Sequence, residues 1–130
     1  MELSALLHDI GRSKTHGVKH GYYGGRVAQA YKLPSNVVKI IERHVGAGIP
    51  AAEARSLGLP NRDFIPETLE EKIVAYADKR IGGKKIISCE EALEDLARSL
   101  GDNHPAISRL KSLFGEVARL LGEDSCRTSH

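Results

Sequence analysis

Apolar residues recur at a helical period along almost the whole of this 130-residue chain, and no segment alternates them as a strand would. Leu3, Leu6, Leu7 and Ile10 fall at i, i+3, i+4 and i+7. Val37, Val38, Ile41, His44 and Val45 form a second stripe, and Ile107, Leu110, Phe114, Val117 and Leu121 a third. That spacing is what one buried face of an α-helix requires. Glycines punctuate it at Gly46-Ala47-Gly48, Gly58-Leu59-Pro60, Gly82-Gly83 and Gly101. The pattern predicts an all-α chain built as a bundle.

The helix starts carry their own chemistry. Thr68-Leu69-Glu70-Glu71 and Ser88-Cys89-Glu90-Glu91 are capping boxes, in which a hydroxyl and an acid satisfy the first unpaired N–H groups. They open helices running to about Ile81 and to Leu100, the second with Ala92, Leu93, Leu96, Ala97 and Leu100 on one face. Ser35 after Pro34 is an N-cap candidate, Ala51–Ser56 a short helix, and Asn103 with Pro105 starts the last helix. Val18–Lys32 is helical with His20, Tyr23, Gly24, Val27 and Tyr31 on one face. Its glycines each cost roughly 1 kcal/mol of helix propensity, so close backbone packing must compensate. The length suits one domain over 1–122, with a motif-bearing part at about 3–82, a C-terminal helical pair at about 88–122 and a polar tail at 123–130.

Several ionisable groups fall on or beside the inward faces. His8 and Asp9 end the first helix, where the dipole alone would favour a His. His20 lies on the inward face of its helix, and His44 lies among aliphatic side chains. A buried imidazole needs a partner, since leaving it without one costs on the order of 1–3 kcal/mol. Asp78 sits between Val74 and Ile81 at i and i+7, so it needs a cation or a neighbouring Lys or Arg. This mixed His/Asp set is richer than one open-site cation requires. It suits two divalent metals sharing a carboxylate, with donors acceptable to Mn, Fe, Co, Ni or Zn and to Mg. Arg12, Lys14 and Lys19 follow the His-Asp pair as a phosphate-facing edge or a solvated loop. His104 and His130 read as solvent-facing.

The ordered set His8-Asp9-Ile10-Gly11, His20 in Lys-His-Gly, His44 in Glu-Arg-His and Asp78 in Ala-Tyr-Ala-Asp-Lys resembles the HD-domain metal-dependent phosphohydrolases, especially their HDIG subgroup. The resemblance covers about Leu3 to Arg80. It implies an HD-domain-like helical bundle in which Asp9 bridges two metals, His8 and Asp78 bind the first, and His20 and His44 bind the second. It also implicates Arg12, with Lys14 or Lys19, in phosphate binding. The family pattern takes a first His from a helix upstream of the HD motif, which His16 in the following loop does not simply replace. The first metal position is therefore expected to draw at most His8, Asp9 and Asp78 from this chain. The implied activity is hydrolysis of phosphate esters, nucleotides foremost, with one or two divalent ions. The alternative is a catalytically impaired metal- or nucleotide-binding signalling module with the same fold. The face behind Leu3, Leu6, Leu7 and Ile10 would then lack cover, and a homodimer is the expected remedy.

Composition excludes little but does so cleanly. With 41% hydrophobic and 28% charged residues the chain has the make-up of a globular domain. A net charge of +2 does not argue for a nucleic-acid partner, and no stripe of basic and aromatic residues stands out. No apolar run approaches the ~20 residues of a membrane span. Cys89 and Cys126 suggest neither a zinc ribbon nor a disulfide framework. Without a signal-like start the expected location is cytoplasmic, and the expected partner a phosphorylated small molecule.

Overall fold

The computed structural model describes residues 7–13, 17–82 and 85–122. Within them the regular elements are helices, as the periodicity requires, apart from a two-stranded hairpin and two isolated β-bridges. It divides into two compact units, residues 1–75 and 76–130. No described helix is long and apolar enough to cross a membrane.

In the first unit Leu7 is helical, His8 and Asp9 form a turn, and Ile10–Ser13 makes a single 3-10 turn. Helix α1 is His20–Ala30, α2 Ser35–Arg43 and α3 Ala51–Ser56, and α4, Leu69–Lys79, crosses the division between the units. Ala28, Val37, Val38 and Ile41 form one apolar cluster, on which Leu7, Ile10 and Leu33 pack. Ile49, Ala54, Leu59 and Phe64 form another, joined by Tyr22 and Val45. Leu3 and Leu6 lie outside the described residues.

The inward face of α1 differs from the expected one. Its buried residues are His20, Gly21, Gly24, Gly25 and Ala28, whereas Tyr23 is 41% and Tyr31 76% exposed. The glycines face inward because backbone does. A Cβ on Gly24 would lie 2.8 Å from Ile41 Cγ2 and 3.0 Å from the backbone nitrogen of Gly11. The close approach anticipated from the propensity penalty is therefore present, and it sets which side of α1 turns inward. Ser35 does not cap α2: Pro34 occupies that position, without a side-chain hydrogen bond.

Two buried carboxylates tie these elements. Glu42 accepts from Arg26 at 2.7 Å and from Arg62 at 3.0 and 3.3 Å. Glu71 accepts from Arg43 at 2.8 Å and from the Glu67 N–H at 2.9 Å, while its own N–H donates to Thr68 Oγ1 at 3.2 Å. The Thr68 half of the capping box thus forms as read. The acid of the box turns to Arg43 and the Glu67 N–H.

In the second unit α4 stops at Lys79, short of Ile81, and Ile81–Gly82 pairs antiparallel with Lys85–Ile86. A two-residue strand is too short to leave an alternating pattern, so periodicity could not find it. Helix α5, Cys89–Leu100, is capped by Ser88 Oγ accepting from the Glu91 N–H at 3.0 Å. Helix α6, Pro105–Leu121, starts one residue later than expected, with His104 as its cap: Nδ1 accepts from the Ala106 N–H at 3.0 Å. Phe114 is fully buried and meets Tyr76 edge-on, ring centroids 5.7 Å apart. Cys89, for which the spacing suggests no pairing, is disulfide-bonded.

Candidate metal centre

The end of α2 delivers the deepest of the candidate ligands. His44 follows Arg43 as the C-cap of that helix and is 0% exposed. Its Nδ1 lies 2.6 Å from the carbonyl of Ile41, one helical turn back. His20 opens α1, and its Nδ1 lies 2.9 Å from the carbonyl of Gly17. A carbonyl only accepts, so each Nδ1 carries the proton and each neutral ring presents Nε2 as a lone pair.

These two lone pairs face each other. His20 Nε2 and His44 Nε2 are 2.8 Å apart, and Asp9 Oδ1 is 3.2 Å from both. With the rings in that tautomer three lone-pair atoms converge, an arrangement that a proton or a cation among them favours. The spacing tells against chance. Neighbouring ligands on a six-coordinate ion with bonds of ~2.1 Å are about 3.0 Å apart, against about 3.4 Å on a tetrahedral one. Separations of 2.8, 3.2 and 3.2 Å fall in the range set by donors that share one ion. The donor set fits a divalent ion.

Asp9 also turns its other oxygen elsewhere. Oδ2 is 3.5 Å from His8 Nε2, and the His8 and His44 rings meet edge-on at 4.9 Å. One ligand atom each from His8, Asp9 and His44 lie within 4.8 Å of one another, close enough to hold a metal ion. His20 is closer still to Asp9, at 3.2 against 3.5 Å for His8, and the two face different oxygens of the carboxylate, His20 and His44 facing Oδ1 and His8 facing Oδ2. The 42% exposure of the Asp9 side chain leaves the centre open to a ligand from solvent.

Asp78 belongs to the second unit, where Oδ2 accepts from Lys79 Nζ at 2.9 Å and the side chain is 29% exposed. A neighbouring lysine was one of the two partners its position demanded. Arg12 lies in the 3-10 turn directly after the His-Asp pair. Lys14 lies outside the described residues. The Lys19 ammonium lies against Gly58, 3.2 Å from where a Cβ on that glycine would stand. The orienting carbonyls of Gly17 and Ile41 left no trace in the sequence, since every residue has a carbonyl.

A family model of the HD domain matches residues 1–81. An uncharacterized protein of Methanocaldococcus jannaschii is 46% identical over 121 residues, which are 93% of this chain and 72% of that protein. Two proteins named tRNA (cytidine(56)-2'-O)-methyltransferase are also similar, from Picrophilus torridus at 41% and Thermoplasma volcanium at 36% identity over 120 residues. Those residues are 92% of this chain and 35% of each methyltransferase-named protein. The chain thus spans about a third of their length. No solved structure gives a significant match.

Proposed function

This chain belongs to the HD-domain family, and from that premise we propose that it hydrolyses phosphate esters, nucleotides foremost, with metal-activated water. The observation that carries the reading is the meeting of His20 Nε2, His44 Nε2 and Asp9 Oδ1 within 3.2 Å, with both imidazoles held in the tautomer a metal ligand needs. A divalent ion held there supplies a Lewis acid for phosphate oxygens and lowers the pKa of water. Asp9 is the bridge, giving Oδ1 to the side of His20 and His44 and Oδ2 to the side of His8. The His and Asp donors suit Mn, Fe, Co, Ni, Zn or Mg alike. Arg12, placed directly after the motif, and the nearby Lys14 and Lys19 neutralise phosphate charge. The run His8-Asp9-Ile10-Gly11 supports assignment to the HDIG subgroup.

Metal content by elemental analysis tests this directly. Loss of the bridge in Asp9→Ala should remove metal from every position, whereas His20→Ala should retain metal at the His8 side. Hydrolysis of a general phosphodiester and of nucleotides should fall in parallel with metal content. Equal stoichiometry in the parent and both variants would rule out the bridged arrangement.

A second reading has a specific observation behind it. Two relatives carry the name of a tRNA methyltransferase, and this chain corresponds to about a third of each. On that reading the chain is a non-hydrolytic module that serves a tRNA-modifying activity. Metal-loaded protein that turns over no phosphate ester yet binds tRNA would favour it.

A further inference from the structure

Helix α1 turns its glycines inward and leaves Lys19, Tyr22, Tyr23 and Arg26 on its other side, at i, i+3, i+4 and i+7. Residues so spaced form one stripe. Tyr22 and Tyr23 meet edge-on, centroids 5.5 Å apart, and Tyr22 meets Phe64 at 6.1 Å. Arg26 lies over the Tyr22 ring at 5.0 Å and Arg62 over the Phe64 ring at 4.3 Å. The Lys19 ammonium reaches Gly58, in the same segment that supplies Leu59 and Phe64 to the cluster beneath Tyr22. A basic and aromatic stripe therefore exists, assembled from two segments that the linear sequence keeps apart.

Its charges do not cancel. Arg26 and Arg62 share the single carboxylate of Glu42, and their side chains stay 39% and 43% exposed. Asp63, beside Arg62, is engaged by the Ala51 N–H at 2.7 Å. Three cations thus meet two carboxylates, Glu42 and Asp63, and the part-exposed ends of Arg26 and Arg62 keep donors open to an anion. Tyr23, 41% exposed, adds an open ring face beside them. Cations flanking an exposed aromatic ring are what a single nucleic-acid strand requires, with phosphates on the cations and a base on the ring.

We propose that this stripe binds a single-stranded oligonucleotide, with Tyr23 stacking on a base and Lys19, Arg26 and Arg62 holding the flanking phosphates. From Lys19 to Arg26 the stripe runs about 10 Å along the helix, and it begins next to the metal-site residue His20. That the strand is also the substrate rests on the phosphohydrolase reading, whereas its binding does not.

The test is fluorescence anisotropy of a labelled single-stranded oligoadenylate with the full chain in EDTA, where no metal-dependent turnover occurs. Tyr23→Ala should weaken binding about 5- to 150-fold, the range of base–aromatic stacking. Tyr23→Phe, which keeps the ring, should restore it. Arg62→Gln should lower the slope of log K against log salt by about 0.7, one phosphate contact on a single strand. Tyr31→Ala, at the far end of α1, should bind as the parent does. Parent-like binding by Tyr23→Ala, or competition by AMP as strong as by the oligonucleotide, would overturn the proposal. So would a change in sedimentation of Tyr23→Ala, which would mark the stripe as a contact between copies. Intact binding in EDTA with no hydrolysis after metal is restored would sink the hydrolase reading alone. Lost binding with retained metal-dependent hydrolysis of small esters would sink only the strand.

Discussion

At the scale of single residues, Glu71 shows how a side chain remote from the chemistry supports it. It is 2% exposed, and its Arg43 partner directly precedes His44. Burial alone would raise its pKa, but the Arg43 hydrogen bond, the Glu67 N–H, the Arg43 charge and the Thr68 hydroxyl together hold it below the ordinary carboxylate value. A carboxyl with a lowered folded pKa stabilises the protein fully above its unfolded value of about 4.3. That contribution is lost as pH falls through the folded value. Thermal melts of the parent should therefore steepen in their loss of Tm below about pH 4, and Glu71→Gln should flatten that dependence. At neutral pH the same variant should cost about 1–3 kcal/mol, because a charged acceptor is removed from a buried guanidinium. A parent and variant with parallel acid profiles would show that Glu71 is protonated alike in both states.

The residues of the centre differed in how far they could be read. His20 and His44 betrayed themselves as imidazoles on apolar faces, and both are buried. His8 and Asp9 were legible only as part of an ordered set. The capping box at Thr68 marks Glu71 in the sequence, but its acid turns instead to Arg43 and the Glu67 N–H, a pairing that depends on two helices meeting. Such long-range pairings leave no mark on local sequence.

At the scale of elements, the contact between the 3-10 turn and α1 decides where Asp9 stands. A Cβ added to Gly11 would collide with the His20 carbonyl and lie 2.5 Å from the Gly24 nitrogen. Both obstacles are backbone, so neither can swing aside as a side chain could. Gly11→Ala should drive the turn off α1 and separate Asp9 from His20 and His44, now at 3.2 Å. Overpacking of this kind costs about 1–3 kcal/mol, yet the metal should suffer more than the fold. The expected outcome is a folded protein by circular dichroism whose metal-induced rise in Tm is largely abolished. A full metal response in Gly11→Ala would show that the turn is free to adjust. The helices themselves were legible because capping hydroxyls and glycine breaks mark their ends locally. The hairpin at Ile81–Ile86 was not, nor was the inward face of α1, because hydrophobicity scores a buried glycine no higher than an exposed one.

At the scale of the whole molecule, the two units divide the labour unequally. His8, Asp9, His20 and His44 all lie in residues 1–75, whereas the buried Leu110, Phe114 and Val117 lie in residues 76–130. A ligand that binds only the folded form stabilises it by RT ln(1 + [L]/Kd), about 2.7 kcal/mol at a hundredfold excess over Kd. Amide hydrogen exchange can show which part of the chain receives that stabilisation. With Mn(II) at a hundredfold excess over its Kd, the slowest amides of α1 and α2 should gain about 100-fold in protection. Those of α6 should gain far less, because His8, Asp9, His20 and His44 all lie in the other unit. Asp9→Ala should erase the gain in α1 and α2. Equal gains in α2 and α6 would mean that the two units unfold as a single cooperative body, and that metal at the first sets the stability of the second.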